Sequence, residues 1–383
     1  MKKLRHVLML SASFYPSPAG GAERQAERLS AYLVQHDIQV TVLTKHTPNL
    51  KRYETKDGYD IIRISGFGLG KIKTFTFVLG AIWSMLFKIK PFDILHAHLV
   101  YAPAFAAIIA GKLLGKKTIV RFRSSGAGND LATSKSNLRG IFRMAVLKRW
   151  ADCFIVLTQE MQDELILNDY NPNRIQRMYN GVDTDYYSPL AIKERNLELI
   201  ADDKIVLLFV GRLNPVKNLP LLLNAFKKAL SQCPNLYLIL VGEGEERAAL
   251  IKLIHELNLQ AYVNFVGSTP NVLEYLQIAD IFVLCSLREG ISNSLLEAMS
   301  CGLACISTDV GAAREILDEG NCGVLVKPDD VDEFANAIIR LASDTTQIER
   351  LGKLARFKVV NHYSMNSVGE SYINLYHKIL ADQ

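Results

Sequence analysis

The hydrophobic positions of this chain alternate between short, fully apolar runs and longer amphipathic stretches. Runs rich in β-branched residues and leucine, such as HVLML at residues 6–10 and IVLLFVG at residues 205–211, predict buried strands. Stretches with helical spacing, such as AERQAERLSAYLVQ at residues 22–35, separate them. Uniformly apolar strands that alternate with helices indicate parallel sheets covered on both faces. Both halves of the chain show this alternation, so we predict an α/β protein with two Rossmann-like domains.

A cluster of turn residues marks the expected join between the two domains. NGVDTDYYSP spans residues 180–189 and leads into a polar stretch. We therefore predict an N-terminal domain over residues 1–185 and a C-terminal domain over residues 190–365, followed by a final helix within residues 366–383. The length of 383 residues exceeds the usual size of one domain and agrees with this division.

Positive charge is concentrated in the first half of the chain. Residues 1–185 carry 26 Lys and Arg against 15 Asp and Glu, a balance of +11, and the remainder carries 18 against 24, a balance of −6. This asymmetry predicts that the N-terminal domain meets an anionic membrane surface or a lipid-linked phosphate, unless it is simply a solvated basic face. No nucleic-acid recognition motif accompanies the charge, so we do not expect nucleic acid as a partner.

The six cysteines form neither a metal-binding pattern nor a disulfide framework in the sequence. None belongs to a C-x-x-C pair, and none has histidine neighbours at zinc spacing. Most lie within apolar runs such as FVLCS and GLACIS, where free cysteine behaves as a small hydrophobic residue. The sequence therefore predicts a cytoplasmic protein without structural metal.

The stretch REGISNSLLEAMSCG in the second half carries the most informative spacing. Glu289 and Glu297 stand eight positions apart. Between them, Ser292 or Asn293 can cap a helix that continues with good helix formers. A capped helix end exposes backbone N–H groups that bind anions. Two carboxylates beside an anion pocket suit a ligand that carries hydroxyls and phosphate together, such as a sugar nucleotide.

This frame resembles the donor-site signature of retaining glycosyltransferase family 4, whose members have the GT-B fold. The resemblance implies two Rossmann-like domains facing a central cleft, with the C-terminal helix crossing back to the N-terminal domain. It also implies that Glu297 accepts a hydrogen bond from the nucleotide ribose and Glu289 one from the donor sugar. The loop amides that would hold the β-phosphate are those of Gly290, Ile291, Ser292 and Asn293.

A second motif, VGRLNPVKN, follows the strand IVLLFVG. Arg212 and Lys217 leave the end of that strand, where the planar fork of Arg and the mobile charge of Lys can bind a diphosphate. The family resemblance implies this role for both residues. Two cations and helix-end amides can stabilise a leaving diphosphate without a metal ion. We therefore expect neither a metal nor a cofactor in this site.

Three further loops complete the expected donor site. Gly20 and Gly21 precede a helix after the first strand, so the backbone there can closely approach an anionic group. The resemblance places the loop that begins at Gly242 near the nucleotide and the backbone of Val266 near the base. None of these loops completes a G-x-G-x-x-G fingerprint, so NAD is not expected.

Two histidines and two aspartates resemble metal ligands, but the sequence favours other roles. His96 and His98 end the strand DILHAH on the same side, and no third ligand follows at a metal-binding spacing. The resemblance places His98 against a hydroxyl of the transferred sugar and leaves His96 a structural role. Asp183 and Asp185 form a D-x-D within NGVD, a segment typical of family 4, so we interpret that pair as incidental.

The sequence thus predicts a retaining, metal-independent glycosyltransferase in the cytoplasm or at the inner face of the membrane. The expected donor is a nucleoside-diphosphate hexose, with a UDP-sugar favoured over GDP-mannose, and the expected acceptor is a lipid-linked or surface-polysaccharide glycan. Residues 120–140 are expected to contribute to acceptor binding. Residues 141–150 form either a membrane-surface helix or a helix packed on the core.

Two other functions remain open at the level of sequence. One is a sugar-nucleotide epimerase with the GT-B fold, which the E-x7-E frame opposes because it resembles transferases. The other is a non-catalytic nucleotide-sugar-binding scaffold at a membrane. This scaffold function is disfavoured because a site that had lost catalysis would not need all four of the candidate residues. These are Arg212, Lys217, Glu289 and Glu297.

Overall fold

The chain folds into two compact units, each built on its own sheet. Unit 1 combines Met1–Gly181 with Met365–Gln383, and unit 2 is Val182–Ser364. The computed structural model describes residues 3–16, 20–123, 131, 138–190 and 203–382. Most of the 120–140 segment that was expected to contribute to acceptor binding lies outside those residues.

The sheet of unit 1 has eight strands among the described residues, in the order β3-β4-β2-β1-β5-β6-β7-β8. Neighbouring strands are parallel except for β3 and β4. The strand order reverses between β1 and β5, which are neighbours in the sheet. The strands are β1 His6–Leu10, β2 Gln39–Lys45, β3 Tyr53–Lys56, β4 Tyr59–Ile64, β5 Ile94–Ala97, β6 Lys117–Arg121, β7 Cys153–Val156 and β8 Ile175–Arg177.

The antiparallel pair of β3 and β4 departs from the purely parallel sheet that the sequence predicted. The two strands are joined by a two-residue turn at Asp57 and Gly58, both with positive φ. That geometry is favoured by Asp-Gly because it matches the twist of a hairpin. The largely polar β3 therefore forms at the sheet edge through its turn and not through an apolar pattern.

The helices of unit 1 form two groups, and the last one comes from the far end of the chain. Helix α1 packs with α13, whereas α2 packs with α3 and α3 with α4. Val368, Tyr372 and Tyr376 of α13 are buried in the core of unit 1. The prediction that the C-terminal helix returns to the first domain is confirmed. The helices are α1 Gly21–Gln35, α2 Gly70–Phe87, α3 Ala102–Leu114, α4 Leu138–Trp150, α5 Gln159–Leu167 and α13 Met365–Ala381.

The sheet of unit 2 has six strands among the described residues, all parallel, in the order β11-β10-β9-β12-β13-β14. Counted within the unit this is the order 3-2-1-4-5-6 of a doubly wound nucleotide-binding fold, with the reversal between β9 and β12. The prediction of two Rossmann-like domains is confirmed. The strands are β9 Ile205–Val210, β10 Leu236–Val241, β11 Val263–Gly267, β12 Ile281–Leu284, β13 Ala304–Thr308 and β14 Val324–Val326.

Helices cover the apolar sheet of unit 2 and bury their hydrophobic faces in one continuous core. Phe209 of β9, Phe226 of α6 and Phe334 of α11 all lie within this core. Within the described part of the chain, no helix has the length and apolar character needed to span a bilayer. The helices are α6 Leu219–Leu230, α7 Arg247–Glu256, α8 Val272–Ile278, α9 Asn293–Ser300, α10 Ala313–Ile316, α11 Val331–Ala342 and α12 Thr345–His362.

Candidate active site

The sequence motifs of unit 2 meet at the carboxyl end of its sheet. β9 and β12 are neighbours, and the strand order reverses between them. The loop after β9 carries Arg212 and Lys217, and the loop after β12 carries Glu289. Ligands of doubly wound sheets bind at such a reversal, outside the carboxyl ends of the strands. The motifs from two distant parts of the sequence therefore form one candidate site.

Lys217 and Glu289 are ion-paired in this site although they lie 72 residues apart in the chain. Lys217 Nζ donates to Glu289 Oε1, and both side chains are about four-fifths buried. Ser286 Oγ donates a second hydrogen bond to the same carboxylate oxygen at 2.9 Å. Ser286 is fully buried at the end of β12 and was not predicted as a site residue. Together these contacts fix the direction in which the Lys217 ammonium points.

Arg212 lies in the same loop as Lys217 but in a different environment. Its side chain is exposed, and within the described part of the chain it forms no ion pair or side-chain hydrogen bond. Its backbone carbonyl accepts from the N–H of Asn214 at 3.1 Å, which holds the tight turn after β9. The loop thus presents one cation held by a carboxylate and a second that is free to reorient onto a ligand.

Gly242 brings the loops after β9 and β10 into direct contact. Its φ is +144°, and a Cβ at this position would lie 1.8 Å from the carbonyl oxygen of Gly211. Its N–H donates to the carbonyl of Gly267 at 2.8 Å, which ties in β11 as well. Gly242 was predicted to lie near the nucleotide. The structure gives it a backbone role, since no other residue permits this approach.

Val266 occupies an irregular position on the edge strand β11. The register pairs Leu240 with Phe265 and Val241 with Gly267, so Val266 is the extra residue of a β-bulge. Bulges redirect backbone and side chains and are frequent beside active sites. The family resemblance predicts that the backbone of Val266 contacts the base of the nucleotide. The bulge removes that backbone from regular pairing with β10.

Helix α9 begins at the predicted position, with Ser292 as its N-cap. Ser292 Oγ accepts from the N–H of Leu295 at 3.3 Å. Gly311 packs directly against the preceding loop, since a Cβ at this position would lie 2.3 Å from the carbonyl oxygen of Glu289. The N–H of Ala312 donates to the carbonyl of Gly290 at 2.9 Å. These contacts fix the backbone of residues 290–293, so its amides lie at the positive end of the helix.

Glu297 lies in the second turn of α9 and is almost fully buried, with 1% of its surface exposed. Burial of a carboxylate is costly unless other groups stabilise its charge. Glu297 also contributes, after burial itself, to raising the pKa of the neighbouring Cys301 thiol to about 12. The fold thus holds this carboxylate one turn inside α9.

The corresponding end of unit 1 holds a buried pair of histidines. His98 follows β5, and its ring stacks on that of His96 with centroids 4.2 Å apart. His96 Nδ1 bonds the hydroxyl of Tyr376 at 2.8 Å, whereas neither ring nitrogen of His98 has a hydrogen-bond partner among the described residues. Burial, with added repulsion from His96 and Arg121, holds the pKa of His98 well below 6.5. A neutral buried imidazole with both nitrogens unsatisfied is suited to a ligand hydroxyl.

Gly20 and Gly21 lie beside the same strand reversal in unit 1. Gly20 is the N-cap of α1 without a side chain to occupy the helix end, and Gly21 is its first residue. They follow β1, which is the neighbour of β5 in the sheet. Residues 17–19 of this loop lie outside the described residues. The predicted residues of unit 1 are thus gathered at one end of one sheet.

Sequence reasoning missed a buried cation beside the histidines. Arg121 ends β6 with 2% of its surface exposed, and its Nη2 donates to Asn180 Oδ1. Within the described part of the chain, its Nη1 has no hydrogen-bond partner. The available signal was an Arg at the end of the apolar run TIVRF, since charged residues are almost never fully buried unless paired.

Asp183 of the D-x-D segment serves a local turn. Its Oδ1 accepts from the N–H of Asp185 at 3.1 Å and from that of Tyr186 at 2.9 Å. Such a pattern is an Asx-type turn. Among the described residues there is no group of three His, Cys, Asp or Glu side chains placed to hold a metal ion. The six cysteines are all buried and free.

The chain has two doubly wound units, and unit 2 brings two cations, two carboxylates and a helix N-terminus to its strand reversal. This combination defines a glycosyltransferase with the GT-B fold. The family model described as Glycosyltransferase Family 4 matches residues 19–186, and the model described as Glycosyl transferases group 1 matches residues 192–357. The chain therefore belongs to glycosyltransferase family 4, and the resemblance proposed from its motifs is confirmed.

Relatives with described activities agree with this assignment. The N-acetyl-alpha-D-glucosaminyl L-malate synthase of Bacillus anthracis is 24% identical over 378 residues, 98% of both chains. An Escherichia coli UDP-Gal:alpha-D-GlcNAc-diphosphoundecaprenol alpha-1,3-galactosyltransferase is 27% identical over 310 residues, 76% of this chain and 77% of the relative. The crystal structure of Anabaena HepE in complex with UDP-glucose superposes with a TM-score of 0.79 at 19% identity, covering 99% of this chain and all of that one.

Proposed function

We propose that this glycosyltransferase moves a hexose-type sugar, with retention of anomeric configuration, from a nucleoside-diphosphate sugar to a lipid-linked or surface-polysaccharide acceptor. The observation that carries the proposal is the meeting of Lys217, Arg212, Glu289 and the start of α9 at one sheet end of unit 2. A UDP-sugar is the first choice of donor, because HepE, which shares the fold, binds UDP-glucose. GDP-mannose is the second.

Each part of the constellation has a role toward the donor. Arg212 and Lys217 bind the diphosphate, and the amides at the start of α9 add donors to the β-phosphate. Glu297 accepts from the ribose hydroxyls, and the bulged backbone at Val266 meets the base. Unit 2 is therefore the donor unit in this proposal, and unit 1 supplies the acceptor side.

The ion pair of Lys217 with Glu289 suggests how donor binding prepares the sugar site. Phosphate oxygens compete with the Glu289 carboxylate for the Lys217 ammonium. When Lys217 turns to the diphosphate, Glu289 keeps its bond from Ser286 and gains a lone pair for a donor-sugar hydroxyl. Binding of the nucleotide and positioning of the sugar are thus coupled through one side chain.

The proposed chemistry needs no protein nucleophile. The bond from the anomeric carbon to the β-phosphate oxygen breaks, and the acceptor oxygen attacks from the same face. The acceptor proton passes to the departing phosphate, which the two cations and helix-end amides stabilise without a metal. His98, neutral because its pKa is lowered, hydrogen-bonds a sugar hydroxyl and holds the ring during transfer.

The acceptor side is supported by charge and by a relative. The first 185 residues carry an excess of 11 positive charges, which favours a phosphate-bearing acceptor. The Escherichia coli relative is named for a diphosphoundecaprenol-linked acceptor. A glycan on a lipid diphosphate fits both facts.

The test is a measurement of thermal stability with UDP, GDP, ADP, dTDP and NAD, each with EDTA and with magnesium. A ligand at about 100 times its dissociation constant stabilises the folded state by about 2.7 kcal/mol. We expect one nucleoside diphosphate to raise the melting temperature equally in EDTA and in magnesium. The matching sugar nucleotides are then tested for transfer, and NMR of the product reports the anomeric configuration.

Two outcomes would overturn the proposal. A response to NAD alone, or to none of the five ligands, would remove the nucleotide-sugar site from unit 2. A product of inverted configuration would leave the donor site in place but exclude the same-face chemistry.

A further inference from the structure

Helix α2 is apolar on two opposite faces, and the protein covers one of them. Phe77, Val78, Ala81, Ser84 and Met85 are buried on the side that packs toward α3. The opposite side carries an outer stripe of large apolar side chains at helical spacing, each 51% to 66% exposed: Ile72, Phe75, Leu79, Trp83 and Phe87. A helix that is apolar all round is normally buried all round. The outer stripe therefore indicates an interaction surface for a partner outside this chain.

The loop before α2 extends the outer stripe and is held firmly. Phe67 and Leu69 are 70% and 87% exposed. The N–H of Phe67 donates to Thr76 Oγ1 at 2.8 Å, and the same hydroxyl lies 2.9 Å from the carbonyl oxygen of Phe67. A Cβ on Gly66 would lie 2.3 Å from the carbonyl oxygen of Lys73, so this loop is packed directly onto the helix. Two apolar side chains are thus held outward by an anchored backbone.

The neighbouring helices continue the same surface. α3 packs between α2 and α4 in one layer of unit 1. Leu113 of α3 is exposed, as are Ile141 and Phe142 of α4. The exposed apolar surface therefore spreads across adjacent helices instead of being confined to one.

The charge in the segment that contains this layer is predominantly positive. Residues 61–151 contain 15 Lys and Arg against 2 Asp and Glu, and there is no acidic residue from 61 to 92. Four exposed lysines flank the outer stripe, two at each end of a helix about 27 Å long. These lysines are Lys71, Lys73, Lys88 and Lys90. Such side chains can extend their charges toward lipid headgroups while their stems cover apolar surface.

We propose that the outer stripe of α2, with Phe67, Leu69 and the flanking lysines, docks on an anionic phospholipid bilayer. An amphipathic surface of large apolar side chains rimmed by Lys is what an in-plane interfacial helix presents. The buried side of α2 stays packed on α3, so the helix lies along the membrane surface. A second copy of this chain is disfavoured as the occupant, because two faces of the same strong positive charge repel each other. The docking does not depend on the proposed sugar donor.

The first experiment is co-sedimentation of the full chain with vesicles. The chain is expected to bind vesicles that contain phosphatidylglycerol and to bind phosphatidylcholine vesicles weakly, with binding reduced between about 0.1 M and about 1 M NaCl. The variant Phe75→Ser/Trp83→Ser should bind about tenfold less or weaker still, and so should Lys71→Gln/Lys73→Gln. The matched controls are Phe357→Ser, at an exposed position on α12, and Lys252→Gln/Lys353→Gln, which should bind as the unaltered chain does.

The second experiment uses the two tryptophans of the chain, Trp83 and Trp150. Trp150→Phe leaves Trp83 as the reporter. Its emission is expected to shift to shorter wavelength on phosphatidylglycerol vesicles and to be quenched by brominated lipid. An unshifted, unquenched Trp83 in the presence of vesicles would overturn the proposal.

A separate measurement distinguishes failure of the membrane proposal from failure of the proposed sugar-donor site. Nucleotide binding is measured on the same variants and is expected to be unchanged, because the outer stripe lies in unit 1 and the donor residues in unit 2. Far-UV circular dichroism and a cooperative thermal transition show that the variants fold. A dimer that dissociates on Phe75→Ser/Trp83→Ser, without vesicle binding, would assign the surface to a second copy and overturn the membrane proposal.

Discussion

At the scale of single residues, the motifs named candidate side chains for the site but not how those side chains meet. Arg212, Lys217, Glu289 and Glu297 were chosen from their motifs and the family resemblance, and the fold brings the loops of the first three together. The bond from Ser286 to Glu289 was not foreseen. Spacing identifies residue types at strand ends, whereas hydrogen-bond partners depend on how loops pack, which a single sequence does not encode locally.

Replacing Lys217 tests the residue-scale interpretation. Lys217→Ala removes a charge-assisted contact to the diphosphate, typically worth about 1.5–3 kcal/mol, so nucleotide affinity should fall about 10- to 100-fold. Isothermal titration with the nucleoside diphosphate that stabilises the protein measures this. Lys227→Ala, at an exposed position on α6, is the control and should bind normally. Equal affinity of the two variants would remove Lys217 from the site.

At the scale of elements, apolar runs predicted the central strands of both sheets and the edge strands of unit 2, but missed the edge strands of unit 1. β9, β10 and β12 are buried on both faces, so their composition reports them directly. The edge strand β3 alternates exposed and half-buried residues and was missed. The bulge at Val266 was also beyond reach, because a bulge is a register shift between two strands and leaves no mark in either one alone.

The loop contact at Gly311 gives a prediction at this scale. Gly311→Ala places a Cβ 2.3 Å from the Glu289 carbonyl oxygen at φ +59°, while Gly320→Ala adds one in open space at φ +95°. Of the two, φ +59° is the one nearer the left-handed region that ordinary residues adopt. Backbone strain alone would therefore make Gly320→Ala the costlier change. We expect the reverse, with Gly311→Ala losing at least about 2 kcal/mol of unfolding free energy and also nucleotide affinity.

Urea denaturation and nucleotide titration of both variants check that expectation. A larger loss for Gly320→Ala, or full nucleotide affinity in Gly311→Ala, would mean that the contact below the Glu289 loop does not shape the donor site.

At the scale of the whole molecule, the two-unit fold was predictable and the buried polar core of unit 1 was not. Strand–helix alternation and the final helix predicted the architecture. Arg121, His96 and Tyr376 come together from β6, β5 and α13. That cluster depends on tertiary packing between segments up to 280 residues apart, so no local sequence pattern predicts it.

Acid should destabilise unit 1 through its buried histidines. Burial lowers the pKa of His6 and His98, and lowers that of His96 to about 3. The unfolded chain then binds more protons than the folded one below pH 6.5, so stability is complete above that value and falls as pH drops. Each histidine contributes a slope of up to about 1.4 kcal/mol per pH unit.

Denaturation between about pH 7.5 and about pH 5 measures that slope, in the range set by the ordinary histidine pKa. The variant His98→Asn, which removes one titrating group, should show a shallower dependence than the unaltered chain. A pH slope that is the same in both proteins would contradict the prediction that the buried histidines make unit 1 acid-sensitive. So would a stability that rises on acidification.

The position of α13 also affects how the protein is made. β1 to β8 leave the ribosome first, yet the tyrosines of α13 that complete their core are translated after the whole of unit 2. Unit 2 is continuous in the chain and has its own core, so it can finish folding while the earlier sheet still waits for α13. The nascent chain can therefore complete its second unit before its first. During that interval its first sheet, lacking one covering helix, is the part exposed to chaperones.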